Sequence, residues 1–138
     1  GFRDISALAS WTVSSAKPGC SIPQLRHPST SLFWQSDGPQ PHHISIHFVK
    51  LVRIVGLRLY LDFDADESYT PTRIVFLAGS RPDDLVEWGE MRLEQPRGWV
   101  WADFSGKLPV LRAHLLQVRI LENHQNGKDT HVRGLQIF

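Results

Sequence analysis

Leu57-Arg58-Leu59-Tyr60-Leu61-Asp62 sets leucine at every second position, with Arg58, Tyr60 and Asp62 between. Successive side chains of an extended strand point to opposite faces, so this is the pattern of a strand with one face in a core and the other in water. The same rhythm runs outward from it. Upstream, Ile44, Ile46 and Phe48 alternate with His43, Ser45 and His47. Downstream, Leu116, Val118 and Ile120 alternate with Gln117 and Arg119, and Leu135 and Ile137 end the chain in the same way. Turn signals punctuate these runs at Ser36-Asp37-Gly38-Pro39, Thr70-Pro71, Gly79-Ser80-Arg81-Pro82, Gln95-Pro96-Arg97-Gly98 and Asn126-Gly127. Short alternating strands so separated predict an all-β sandwich or barrel. Trp34, Phe48, Leu59, Leu61, Ile74, Phe76, Val118 and Ile120 are its expected core. Helix is expected only before residue 35: a turn or two at Asp4-Ile5-Ser6-Ala7-Leu8-Ala9 with Asp4 as cap, and another at Ile22-Pro23-Gln24-Leu25-Arg26.

The 138 residues suit one domain, read here as residues 1–138 without an internal linker or repeat. Five tryptophans and seven phenylalanines argue against a disordered chain. With a net charge of +1 and scattered basic residues, no nucleic-acid partner is expected. The most basic stretch, around Lys50 and Arg53, is interrupted by Leu51 and Val52 and reads as a strand edge. Cys20 is the only cysteine, which excludes an internal disulfide and a cysteine-based metal site and fits a reducing compartment. No signal-peptide pattern or membrane-length apolar run occurs, and no membrane partner is expected. The abrupt ends at Gly1 and Phe138 read as those of a domain from a slightly longer protein.

Catalytic and metal signatures are thin, and no cofactor is expected. Asp62, Asp64 and Asp66 have the one-three-five spacing of an EF-hand loop, but Glu67 stands where its glycine belongs and Arg73 where its bidentate glutamate belongs. A solvated acidic loop is the simpler reading. His43 and His47 share a strand face but lie about 13 Å apart at strand rise. Cys20 sits in a Pro-Gly-Cys-Ser turn with no evident base, and only residue types would join Ser68, Asp129 and His131 into a triad. The adjacent pairs Asp66-Glu67 and Asp83-Asp84 point apart on extended backbone. No glycine-rich loop opens a helix to cradle phosphate. Trp99 and Trp101 could stack bases beside Arg97, although core or sheet-edge packing is the commoner use of such a pair.

Two polar loops remain. One, Asp64-Ala65-Asp66-Glu67-Ser68-Tyr69-Thr70-Pro71, leaves the Leu57–Leu61 strand. The other, Glu122-Asn123-His124-Gln125-Asn126-Gly127-Lys128-Asp129-Thr130-His131, joins the last two strands and is far longer than a tight Asn-Gly hairpin needs. Its amides, imidazoles, hydroxyl and carboxylate suit a grip on a peptide backbone or a sugar. The competing reading is a solvated hairpin tip.

Three strings together carry a family resemblance: Trp34-Gln35-Ser36-Asp37-Gly38-Pro39-Gln40-Pro41-His42, Asp66-Glu67-Ser68-Tyr69-Thr70-Pro71 and Asn123-His124-Gln125-Asn126-Gly127-Lys128-Asp129-Thr130-His131. They resemble the DOC domain in order and over nearly the whole chain. Trp11-Thr12-Val13-Ser14-Ser15-Ala16-Lys17-Pro18-Gly19 and Gln24-Leu25-Arg26 fit as well. The closeness is to the dedicated DOC subunit of the anaphase-promoting complex rather than to a DOC domain embedded in a larger ligase. The resemblance implies a jelly-roll β-sandwich of the galactose-binding-like type with its ligand face among the loops at one end. It implies a non-catalytic subunit of a ubiquitin ligase acting in nucleus and cytoplasm. That subunit partners cullin, scaffold and tetratricopeptide-repeat subunits, and with the WD-repeat co-activator it forms a receptor for destruction-box peptides that raises processivity. By motif, the implied site residues are Ser68, His124, Asn126, Asp129, Thr130 and His131. Ser68 and Asn126 are expected to contact the degron, and Asp129 and His131 to shape the loop or meet the co-receptor. The family ends in a tail finishing Ile-Arg that docks on a tetratricopeptide-repeat subunit, and no such tail is among these residues. The alternative function is a carbohydrate-binding module on the same sandwich, disfavoured because Tyr69 is the loops' only candidate sugar platform.

Overall fold

The alternating segments pair antiparallel along their apolar faces. The structure, a computed structural model, describes residues 2–106 and 109–138. One sheet runs β1 (Ala9–Val13), β3 (His42–Arg53), β8 (Arg112–Asn123), β5 (Pro71–Gly79), β6 (Val86–Arg92) in spatial order. A second runs β10 (Gly134–Ile137), β4 (Gly56–Asp62), β7 (Arg97–Asp103). A short ribbon joins β2 (Trp34–Gln35) to β9 (His131–Val132).

Register aligns the buried rows. Ile44 lies opposite Val118 and Val118 opposite Phe76, while Ile46, Leu116 and Ala78 make the next row. The facing sheet offers Leu57 opposite Ile137 and Leu59 opposite Leu135. These side chains are almost wholly shielded from water. Each such burial contributes about 1.5–3 kcal/mol, which makes this face of the sandwich the main source of stability. All eight expected core residues belong to the buried cluster. Trp34 is fully buried on the ribbon, and its indole N–H donates to the Ser15 carbonyl at 2.9 Å.

Helix is less confined than the sequence suggested. The two early turns form: Ser6–Leu8 is 3-10, with the Ser6 N–H on Asp4 Oδ1, and α1 (Ile22–Leu25) carries a reciprocal Ser21–Gln24 cap. But α2 (Phe63–Asp66) and 3-10 turns at Glu67–Tyr69 and His124–Asn126 build the two polar loops. The cause is local: Asp62, weighed as a metal ligand, accepts the Ala65 N–H and caps α2. The long loop after β8 also departs from expectation. It is no hairpin tip, because β8 lies in the five-stranded sheet and β10 in the three-stranded one, so the loop carries the chain from one layer to the other. Trp99 and Trp101 are half-exposed on edge strand β7, with the Arg58 guanidinium 4.1 Å above the Trp99 ring. That is the edge packing expected as the commoner use.

Candidate functional site

Register fixes which loops meet. His42 at the start of β3 faces Ile120 near the end of β8, and Pro71 at the start of β5 faces Asn123. The segments entering β3, entering β5 and leaving β8 therefore share one end of the sandwich.

Beneath them lies a charged floor. The Asp66 carboxylate is buried and receives Arg133 Nη2 at 2.7 Å, Arg133 Nε at 2.9 Å and His131 Nδ1 at 2.9 Å. His131 Nε2 meets Gln35 Oε1 at 2.9 Å, and Arg133 Nη1 donates to the Thr30 and Ser31 carbonyls. The imidazole is stacked between Phe33 and Tyr69, with centroids at 4.0 and 4.1 Å. Burial opposes charge on Asp66, but the hydrogen bonds from Arg133 and His131 and the Arg133 charge outweigh it, holding the carboxyl below its ordinary value. The same bond holds Arg133 above its own. This cluster ties the first loop (Asp66, Tyr69) to the last residue of the second (His131) and to the chain just after it (Arg133).

Above the floor, the segment 36–42 ties down the second loop. Ser36 Oγ accepts the Thr130 N–H at 2.8 Å, and Asp129 Oδ1 accepts the Gly38 N–H at 3.3 Å. Gln40 Nε2 donates to the Gly127 carbonyl at 3.1 Å, and His42 Nε2 bonds the Lys128 carbonyl. Asn123 closes the loop on itself through the Asp129 carbonyl and the Thr130 hydroxyl. Each orients backbone that would otherwise be mobile.

The two loops also touch. A methyl at Gly127 would overlap the Ser68 carbonyl oxygen, so only glycine permits this approach. It sets the Ser68 backbone against the residue that follows Asn126, with Ser68 half-buried and Asn126 exposed. Neither side chain has a hydrogen-bond partner among the described residues, nor do those of Glu67, Gln125 and Lys128. Glu67, Gln125 and Asn126 hold left-handed φ of 48, 55 and 56°, and all three are exposed. A concave surface beside them is lined by Gly38, Pro39, Gln40, Lys128 and Asp129.

The six sequence candidates thus divide. Ser68 and Asn126, on the two loops that meet at Gly127, have no side-chain partner among the described residues. His124 packs its ring on Phe63 at 4.6 Å, with Nε2 shut from solvent and unpaired. Asp129 is half-buried, Thr130 fully buried and His131 nearly so, and all three brace the loop. The bracing partners Phe33, Gln35, Gln40 and Arg133 were not singled out from sequence. Phe33 immediately precedes the Trp34–His42 string, and Gln35 and Gln40 lie inside it; nothing local marks Arg133.

Asp62, Asp64 and Asp66 point three ways. Asp62 caps α2, Asp64 pairs with Arg97 at 2.8 Å, and Asp66 faces inward. No group of three metal-ligating side chains converges among the described residues.

Residues 1–138 match the family model described as anaphase-promoting complex, subunit 10 (APC10). Proteins named anaphase-promoting complex subunit 10 align along the chain. The one from Schizosaccharomyces pombe is 46% identical, covering 100% of this chain and 74% of its own length. The one from Dictyostelium discoideum is 45% identical, covering 98% and 72%. The human one is 39% identical, covering 99% and 74%. Among solved structures, a Clostridium perfringens family 32 carbohydrate-binding module in complex with GalNAc-β-1,3-galactose superposes with a TM-score of 0.82 at 10% identity, over 99% of both chains. The family 32 module of C. perfringens NanJ, in complex with galactose, gives 0.79 at 9%, over 97% of this chain and 96% of that one. At such identities the likeness is one of fold: the galactose-binding-like jelly roll.

Proposed function

The chain belongs to the anaphase-promoting complex subunit 10 family, the DOC subunit of that ubiquitin ligase, and from this premise we propose that its loop end is a non-catalytic co-receptor for destruction-box degrons. The co-receptor works with the complex's WD-repeat co-activator, in nucleus and cytoplasm, within an assembly of cullin, scaffold and tetratricopeptide-repeat subunits. Nucleic acid and membrane have no part in it.

One observation carries the reading: the Gly127–Ser68 approach joins the two loops at Ser68 and at the residue after Asn126, and neither the Ser68 nor the Asn126 side chain has a partner among the described residues. A hydroxyl and a carboxamide supply both donors and acceptors, which an extended peptide backbone needs. Thr130 and His131 serve by holding this surface, and Asp129 by fixing the 36–42 segment beside it. A binding rather than catalytic role fits the histidines. Among the described residues no imidazole nitrogen bonds a hydroxyl or thiol, and His131 is held between Asp66 and Gln35.

The test is Ser68→Ala with Asn126→Ala in the reconstituted ligase. Folding and incorporation should be unchanged, because both residues lie outside the core. Processive ubiquitination of destruction-box substrates should fall, and fall less when the substrate's own destruction box is mutated, since both changes remove one contact. Wild-type processivity from the double variant on a degron-dependent substrate would sink the assignment.

A further inference from the structure

At the other end of the sandwich, β3 is interrupted by a large bulge. Its register with β8 passes from His47 opposite Leu115 to Val52 opposite Ala113, so four residues of β3 stand against His114 alone. Pairing with β1 ends at Ala9 opposite Phe48. Val49, Lys50 and Leu51 are therefore unpaired on both sides. Bulges re-aim side chains, and this one aims apolar ones at water. Val49 is 88% exposed, Leu51 56% and Leu8 beside them 49%. Leu8 and residues 48–52 line one shallow apolar hollow. Single exposed apolar residues are ordinary, whereas a contiguous set on a bulge is the mark of an interaction site.

The charge around it is of one sign. Lys50, Arg53 and its cross-strand neighbour Arg112 are exposed, and none forms an ion pair among the described residues. The sequence has no carboxylate between Asp37 and Asp62 or between Asp103 and Glu122, so β3 and most of β8 offer these cations no partner.

We propose that this bulge is the face by which the domain docks on its assembly, and that its occupant is a protein surface offering apolar side chains ringed by carboxylates. An apolar centre supplies the burial, and the cationic rim supplies orientation and partner choice. A second copy is a poor occupant, since a two-fold contact would bring Lys50 and Arg53 against their like. An anionic bilayer is a poor one too, because three cations give only about 1 kcal/mol each near such a surface. Val49 lies seven positions along β3 from His42, at the recognition end, about 23 Å at strand rise. Docking here leaves the recognition loops uncovered. The proposal rests on the family's membership of a complex and not on the roles given to Ser68 and Asn126.

The test uses the full-length protein and a recombinant complex lacking this subunit, with incorporation measured as an affinity. Val49→Asp with Leu51→Asp should weaken incorporation at least about tenfold, as loss of a central contact does. Lys50→Glu with Arg53→Glu should weaken it less and flatten its salt dependence. Melting should be unchanged in both, since all four side chains face solvent, and the charge reversal keeps the face testable if the aspartates disturb folding. Wild-type incorporation by both variants overturns the proposal. So does wild-type self-association that Val49→Asp abolishes while incorporation stays intact, or vesicle binding through Lys50 and Arg53 with incorporation unchanged. Ser68→Ala with Asn126→Ala should incorporate normally. A processivity deficit confined to that pair, with bulge variants incorporating as wild type, would refute this inference and leave the recognition reading standing.

Discussion

Replacing Asp66 with alanine removes the carboxylate on which Arg133 and His131 converge. The Arg133 side chain is only 12% exposed and would keep just the Thr30 and Ser31 carbonyls as hydrogen-bond partners, beside the Phe33 ring. Breaking a buried pair by removing one partner costs about 3–5 kcal/mol, because the other charge stays desolvated. For a domain of this size that corresponds to a fall in Tm of roughly 10–15 °C. Urea and thermal unfolding of the wild type, Asp66→Ala, Arg133→Met and the double variant would measure it. The double variant should recover part of the loss, since the two changes remove one interaction and an apolar replacement of both partners is often near neutral. The pH dependence follows from the sign of the shift. The folded pKa of Asp66 lies below its unfolded value, which is near 3.9. Its stabilisation is therefore complete above about pH 5 and lost as pH falls through the lower folded pKa. The gap between wild type and Asp66→Ala should be constant from pH 7 to 5 and narrow below about pH 4. A gap under about 1 kcal/mol at pH 7, or one unchanged at pH 3, would refute the claim that this carboxylate anchors the loops.

Gly127→Ala places a methyl on the Ser68 carbonyl and must part the two loops; about 1–3 kcal/mol should be lost in denaturant unfolding, with a loss of degron-dependent processivity that incorporation does not share. Chelation should leave Tm and degron-dependent activity unchanged, because Asp62, Asp64 and Asp66 each have a partner of their own; a drop of several degrees restored by calcium would contradict this.

The strands were legible because their signal is local. Alternation at Leu57–Leu61 depends only on which face of one strand is wet, and the structure buries those leucines completely. The loops were legible as positions but not as structures. Asp62, Asp64 and Asp66 read as a ligand set by spacing, yet one turn of helix turns that spacing into three directions. The charged floor had no local signature. Asp66 meets His131 from 65 positions away and Arg133 from 67, and Gln35 meets His131 from 96. Composition and spacing carry no information about such pairs. Only the strings shared with a family marked the region, and they could not say that Thr130 and His131 act from beneath the surface. The bulge misled in the opposite sense: Lys50-Leu51-Val52-Arg53 reads as an ordinary strand edge because the sequence does not reveal where β3 loses its partners.

A short extended degron makes few contacts, so its affinity for one surface is small against the cost of association. Two surfaces in one assembly convert the second contact into an intramolecular one, and weak contacts then multiply. That gain survives only if the second surface is already formed, because ordering a loop on binding would consume it. The loop end meets this condition. Gln125 and Asn126 are held at φ values that non-glycine residues seldom adopt, and Ser36, Gly38, Gln40 and Asn123 fix the backbone on either side. The same rigidity weighs against a sugar site. Tyr69, the loops' one aromatic candidate for a stacking platform, already lies on His131 at 13° between planes, so in this sandwich one face of that ring serves the floor, while the Ser68 and Asn126 side chains keep their polar groups without partners among the described residues.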